Sequence, residues 1–356
     1  MIEVLDTLIP DAIQRRLFPG AVVLIARDGQ IVYHAAYGST MYEDPGSQPV
    51  RLETIYDIAS LTKMFTATVA LQLLDAGMLS LDDPVQRYLP DLCTDEVTIR
   101  HLLTHTSGIE LRLSSLRDQS PDAIWAAIYQ REPAHPPGTL VSYVNISTLL
   151  LGAVIEAIAH HSLDHVIQEL ISTPLRLQQT GFCPPAERRP HIAPSEDDIH
   201  WRGGLVHGRV NDDSAHALGG VAGHAGLFST ATDLWCFVQM WLDDGTYQGK
   251  RLLQSATVAQ ATQIQTAGLA FVPPYGGSPD TPFYAGLGWM IDRPNIMGHA
   301  PAGSYGHTGF TGPTMIAVPA QRLAVIMLSN RTYPHRPRLP VHHATTAALV
   351  DAALQA

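Results

Sequence analysis

The sequence predicts an α+β fold, with one antiparallel sheet assembled from both chain ends and a mostly helical region inserted between them. Three observations carry this. Residues 21–38, AVVLIARDGQIVYHAAYG, are two apolar runs about Asp28-Gly29, a hairpin signal because both residues tolerate positive φ. Residues 314–330, TMIAVPAQRLAVIMLSN, read as a second strand pair around Pro319–Arg322. Between about residues 80 and 240 the apolar spacing is helical instead.

Taken in order, a turn-rich stretch, EDPGSQPVR (43–51), follows the first hairpin. LTKMFTATVALQLLDAG (61–77) then has helical spacing and stops at Gly77. VTIRHLLTHTSG, DAIWAAIYQ, ISTLLLGAVIEAIAHH, LDHVIQELI and ATDLWCFVQMWLDDG continue the helical region. SYGHTGFTG (304–312) leads back into strands, and HHATTAALVDAALQA closes the chain as a helix.

Composition narrows the function. With 356 residues, 46% hydrophobic and 15% charged, the chain can bury a large core. A net charge of −11 and the lack of a basic run argue against a nucleic-acid partner. Cys93, Cys183 and Cys236 form no CxxC and no metal-ligand spacing, so neither a disulfide framework nor a cofactor is expected. The first twenty residues, MIEVLDTLIPDAIQRRLFPG, lack the apolar stretch of a signal peptide. No 18-residue apolar run suggests a membrane span, and a cytoplasmic protein is the expectation. Oligomeric state is not readable.

The chain carries 22 Lys plus Arg, yet only Lys63 and Lys250 are lysine. Arginine stays protonated, whereas a desolvated lysine can lose its proton and act as a base. Lys63 lies three residues after Ser60 in ASLTK, at a helix start, so the two side chains share a face. The free N–H groups there favour a developing oxyanion. SxxK alone is a weak signal, expected about once by chance in a chain this long. Two further motifs add to it. Tyr143-Val144-Asn145 follows a Pro-Pro-Gly loop and precedes a helix expected at 147–159. A phenol beside an ammonium can share the role of base, and an amide can orient a carbonyl or the lysine. Gly306-His307-Thr308-Gly309 opens a C-terminal strand, with glycines that admit a substrate close to the backbone.

These three motifs, in this order and on these element types, resemble the serine hydrolases of the β-lactamase and penicillin-binding-protein superfamily. The likeness is nearest to the class C β-lactamase and esterase branch, with Ser-x-x-Lys, Tyr-x-Asn and Lys-Thr-Gly or a variant. RHLLTHTSGI (100–109), GMLSLDDPVQRYLPD (77–91) and GGVAGHAGLFSTATDL (219–234) look like it too. The resemblance spans about residues 10–350. It implies a single β-lactamase/DD-peptidase-like domain, with an α/β half from 1–62 plus 285–356 and a helical half from 63–284. It further implies Ser60 as acylated nucleophile, Lys63 and Tyr143 as base, and Asn145 as a partner of substrate or lysine. His307, Thr308 and Gly309 would line an edge strand, with the N–H groups of Ser60 and Phe310 as the oxyanion hole.

The third motif departs from the family, since His307 stands where Lys is usual. A histidine is mostly neutral at pH 7, so the charge that would meet a β-lactam or peptide carboxylate is missing. A carboxylesterase with weak or no β-lactamase activity is therefore expected. A D-alanyl-D-alanine carboxypeptidase, a β-lactamase and a non-catalytic penicillin-binding sensor remain alternatives. Asn211 replaces a histidine found in some relatives, and that histidine's role is not carried over. His101 and His105, spaced i, i+4, could chelate zinc, but structural roles are favoured for want of a third ligand. GGVAGHAG lacks a phosphate-loop GK[ST] and reads as a close-packed loop bordering the site. Trp201, Trp235, Trp241 and Trp289 could wall a cleft, though core is the commoner place.

Overall fold

The seven-stranded antiparallel sheet takes its strands from both chain ends. Its order is Tyr284–Ala285, Met290–Ile291, Tyr305–Thr308, Thr314–Val318, Leu323–Ser329, Gly20–Arg27 and Gln30–Gly38. The computed structural model describes residues 2–272, 283–336 and 342–355. The first and last parts of the chain meet where Gly20–Arg27 pairs with Leu323–Ser329 in unbroken register, Ala21 opposite Ser329 through Arg27 opposite Leu323. Both are apolar almost throughout because both faces of the sheet are covered. Val23, Ile25, Val325 and Met327 share one core with Leu5 and Ile9 of helix Ile2–Gln14 and with Leu349 and Val350 of helix His343–Leu354. Val22, Leu24, Ala324 and Ile326, alternating with them, share the other core with Phe237 of helix Ala231–Leu242.

The hairpin turns at Asp28 and Gly29, with φ of 51° and 73°. Helix Thr62–Asp75 is buried from Thr62 through Leu71 and at Leu73, so it serves as a central post. It ends in a Schellman motif, where Gly77 N donates to Leu74 O at 2.9 Å and Met78 N to Leu73 O at 2.9 Å.

The structure corrects several expectations. Helix Ile2–Gln14 was not foreseen, although Leu5, Ile9 and Ala12 mark its buried face. The inserted region is less helical than its spacing suggests. Leu227–Ser229 and Gly181–Phe182 of this region form a three-stranded sheet with Tyr56–Asp57, and Glu196–Asp198 pairs with Gly204–Val206. In VTIRHLLTHTSG only Ile99–Leu103 is α-helical, and His105 has a φ of 56°. The helix placed at 147–159 begins at Asn145. The strand carrying HTG is not a sheet edge, since Met290–Ile291 flanks it. That neighbour pairs with Gly306 and Tyr305 alone, however, and stops short of His307 and Thr308.

Phe237 stacks on Phe65 with ring centroids 4.2 Å apart, joining the central helix to the helix that covers the sheet. Phe237→Ala should therefore cost about 3–5 kcal/mol in urea unfolding. A loss below about 1 kcal/mol would show that the two layers close over the cavity.

Candidate active site

Strand Tyr56–Asp57 runs into a single 3₁₀ turn, Ala59–Leu61, and then into helix Thr62–Asp75, so Ser60 sits on a sharp elbow. Ala59 has a φ of 46°, unfavourable for a residue with a Cβ. The buried Asp57 carboxylate holds it there, accepting from Ala59 N at 2.8 Å and from Asn211 N at 2.6 Å. Burial pushes this carboxyl up to about 6, even with both N–H bonds pulling it down.

Lys63 follows on the next turn and is 0% exposed. Its Nζ donates to Ser60 Oγ at 3.0 Å, to Asn145 Oδ1 at 3.0 Å and to His224 O at 3.1 Å. Burial pushes its pKa down to about 7, against the nearby charge of Asp212. Near neutral pH a large share of Lys63 is therefore the free amine, hydrogen-bonded to a serine hydroxyl. That pair can move a proton from oxygen to nitrogen.

Tyr143 lies between strand Leu140–Ser142 and helix Asn145–Ala159, with Lys63 Nζ 5.1 Å from its ring centre. Around it pack His105 at 4.7 Å, His307 at 5.6 Å and Phe283 at 6.0 Å between centroids. Both histidines are buried and neutral. Burial and the Lys63 charge push His105 down to about 3 and hold His307 well below the usual imidazole range. The neutral His307 expected from sequence thus has a definite cause. His307 Nδ1 lies 2.9 Å from Thr308 O. Gly309 presses on the elbow so closely that a Cβ there would lie 2.6 Å from Ile58 O and 3.3 Å from Ala59 Cβ. Phe310 lies at the surface, 45% exposed, beneath the Arg331 guanidinium at 4.9 Å.

Ser60, Lys63 and Asn145 thus meet directly, Tyr143 and His307 pack against each other beside them, and Gly309 abuts the elbow. Sequence reasoning missed Asp57, Asp212 and the part played by His224, and gave His105 a structural role only. GGVAGHAG does border the site. His224 supplies a carbonyl to Lys63 and Gly223 one to Thr66 Oγ1 at 2.8 Å, while a Cβ on Gly223 would strike Thr148 O at 2.1 Å. Asn211, in the place of a histidine, is a buried anchor whose Nδ2 donates to Glu196 Oε2 at 2.9 Å and Ser195 Oγ at 3.2 Å. His101 and His105 do not form a chelate. His101 Nδ1 accepts from Thr98 N in a capping box while His105 packs against Tyr143 at a tilt, and no three His, Cys, Asp or Glu among the described residues cluster as metal ligands. Trp241 and Trp289 are core residues packed edge to face. No single helix among the described residues is long and apolar enough to cross a membrane.

A family model described as Beta-lactamase matches residues 5–349. A protein of Escherichia coli K12, provisionally named D-alanyl-D-alanine carboxypeptidase, is 31% identical over 366 residues, covering 90% of this chain and 80% of its own. Among solved structures, EstCE1, a hydrolase with promiscuous acyltransferase activity, superposes with a TM-score of 0.76 at 23% identity, over 98% of each chain. The octameric penicillin-binding protein homologue of Pyrococcus abyssi gives 0.75 at 25% identity, over 99% of this chain and 77% of its own.

A lysine held at about 7 when folded, against 10.5 when free, weakens the fold fully below about pH 7 and progressively less up to 10.5. The unfolded chain binds the extra proton, so stability should rise with pH from about 7 toward 10.5. Lys63→Met should lack that rise and should be more stable than wild type at pH 7, by about 1–3 kcal/mol. Urea unfolding at pH 7 and pH 9.5 checks both signs.

Proposed function

The chain belongs to the β-lactamase family and is a serine hydrolase, and from that premise we propose that it forms an acyl-enzyme on Ser60. The observation that carries this is Lys63 Nζ lying 3.0 Å from Ser60 Oγ and within reach of Asn145 Oδ1 and His224 O, which take the two N–H groups of the free amine and leave its lone pair to accept from the serine O–H. Lys63 takes the serine proton as Oγ attacks the acyl carbon, with Tyr143 sharing the role of base. The tetrahedral oxyanion is received by the N–H groups of Ser60 and Phe310. The proton then passes to the leaving group, and water, deprotonated by the same pair, releases the acyl group. Lys63 gains a positive charge at the moment the oxyanion forms, so the two charges offset each other in a dry site.

The substrate reading we favour is a carboxylic ester with no carboxylate to be matched, because His307 is neutral. A second reading, a D-alanyl-D-alanine-type carboxypeptidase, is favoured by one specific feature. The largely buried Arg293 guanidinium packs on Phe283 at 4.6 Å, and its charge reaches His307. Burial pushes Arg293 down only to about 10, so it stays charged. It brings back part of the positive charge missing from the third motif, and the provisional name of the Escherichia coli relative agrees with that.

Intact-mass spectrometry during turnover of a p-nitrophenyl ester should detect an acyl adduct that Ser60→Ala abolishes. Lys63→Arg should lose activity as severely as Lys63→Ala, about a thousandfold or more, because arginine cannot give up its proton. A near-active arginine variant would exclude Lys63 as the base. Arg293→Gln should lower turnover of an acyl-D-Ala-D-Ala peptide about tenfold more than ester turnover if the second reading holds. An equal effect on both would leave the esterase.

A further inference from the structure

Two of the three oxygens that accept from Lys63 belong to residues whose side chains meet one carboxylate. Asp212 Oδ2 accepts from Asn145 Nδ2 at 3.5 Å, and Oδ1 accepts from His224 Nε2 at 3.1 Å, Ser214 Oγ at 2.6 Å and Ala215 N at 2.9 Å. Ser214 Oγ also lies 3.1 Å from His224 Nε2, closing a triangle beneath the His224 backbone. An ionised carboxylate can only accept. Asn145 must therefore turn its amino group toward Asp212 and its carbonyl toward Lys63, and His224 must carry its proton on Nε2.

We propose that Asp212 is the positioning residue of the site: through Asn145 and His224 it orients the two oxygens that keep the Lys63 amine on Ser60. This rests on the reading of Lys63 as the base. Asp212 would act wholly through Lys63, at a distance from the reacting atoms. Burial raises the Asp212 carboxyl, but the charge and hydrogen bond of His224, with Ser214 and Ala215 N, hold it well below the usual carboxylate range. It is therefore ionised wherever the enzyme works.

A charge effect accompanies the geometric one. The groups around Lys63 are His105, His307, Tyr143 and the His224 carbonyl, with Asp57 and Arg202 one layer behind and Arg293 behind His307. Against the burial that favours the free amine, the Asp212 charge favours the protonated lysine. Removing it leaves Lys63 a free amine to lower pH. Asp212 keeps 27% of its side chain exposed, so screening limits the shift to about one pH unit.

The test is kcat/KM against pH, which reports the free enzyme, for p-nitrophenyl ester hydrolysis by wild type, Asp212→Asn, Asp212→Ser and Asp212→Glu, with Lys63→Ala in parallel. Asparagine and serine keep an oxygen for Ala215 N, so the cap of helix Asp213–Ala217 survives. Both should lose about tenfold or more at the optimum, and their acid limb should move down by about one unit. Asp212→Glu should return the limb to the wild-type position. Folded Asn and Ser variants with an unmoved limb would overturn the proposal, as would their failure to fold beside a folded Glu variant, which would mark Asp212 as structural. An active Lys63→Ala would instead remove the base reading on which the proposal rests.

Discussion

A lysine amine sealed from solvent among three oxygens is the constraint on which the rest of this site depends. Burying an ammonium without partners costs several kcal/mol, and leaving it uncharged needs a surround that does not favour charge. The chain meets both demands. Helix Thr62–Asp75 is buried along almost its whole length, so no rotation could bring Lys63 to water. Its acceptors come from three separate segments, the elbow at Ser60, the helix start at Asn145 and the loop at His224. His105 and His307 stay neutral beside it first because they are buried, and then because a positive charge there would repel that of Lys63.

The same logic accounts for the strain next door. A positive φ at Ala59 costs about 1 kcal/mol or more, and it persists because Asp57, Gly309 and Thr311 leave the elbow no room to relax. Thr311 Oγ1 donates to Asp57 O at 2.7 Å, so the segment after HTG is bonded to the strand before Ser60. The distance from serine to HTG is thus set by the close approach of Gly309 to the elbow and by short, buried side-chain bonds to its backbone.

Much of this was legible from sequence, for reasons that differ by element. The long strands and the central helix announced themselves by apolar runs and turn chemistry that act over a few residues. Ser60, Lys63, Tyr143, Asn145 and His307–Phe310 could be named from sequence because each motif is local, and the structure brings Ser60, Lys63 and Asn145 into hydrogen-bond contact. Asp212 and His224 could not be, because their bonds reach Asn145 and Lys63 across 67 and 161 positions. The two-residue strands Tyr284–Ala285 and Met290–Ile291 are too short to show a period, and they form only because a neighbouring strand offers them bonds. Arg293 shows the limit of reading one position at a time, since the charge absent from residue 307 partly returns from the start of another element.

The pairing of Gly20–Arg27 with Leu323–Ser329 has a consequence for how the protein is made. A strand apolar on both faces leaves the ribosome about 300 residues before its partner. At about 5–20 residues per second that interval is roughly 15–60 s. During it the first hairpin can close, but the inner edge of Gly20–Arg27 stays unpaired and open to other chains. The interior that dries Lys63 cannot be sealed until residues 323–329 have been made, and until then the open edge of the first hairpin offers its unpaired N–H and C=O groups to other chains.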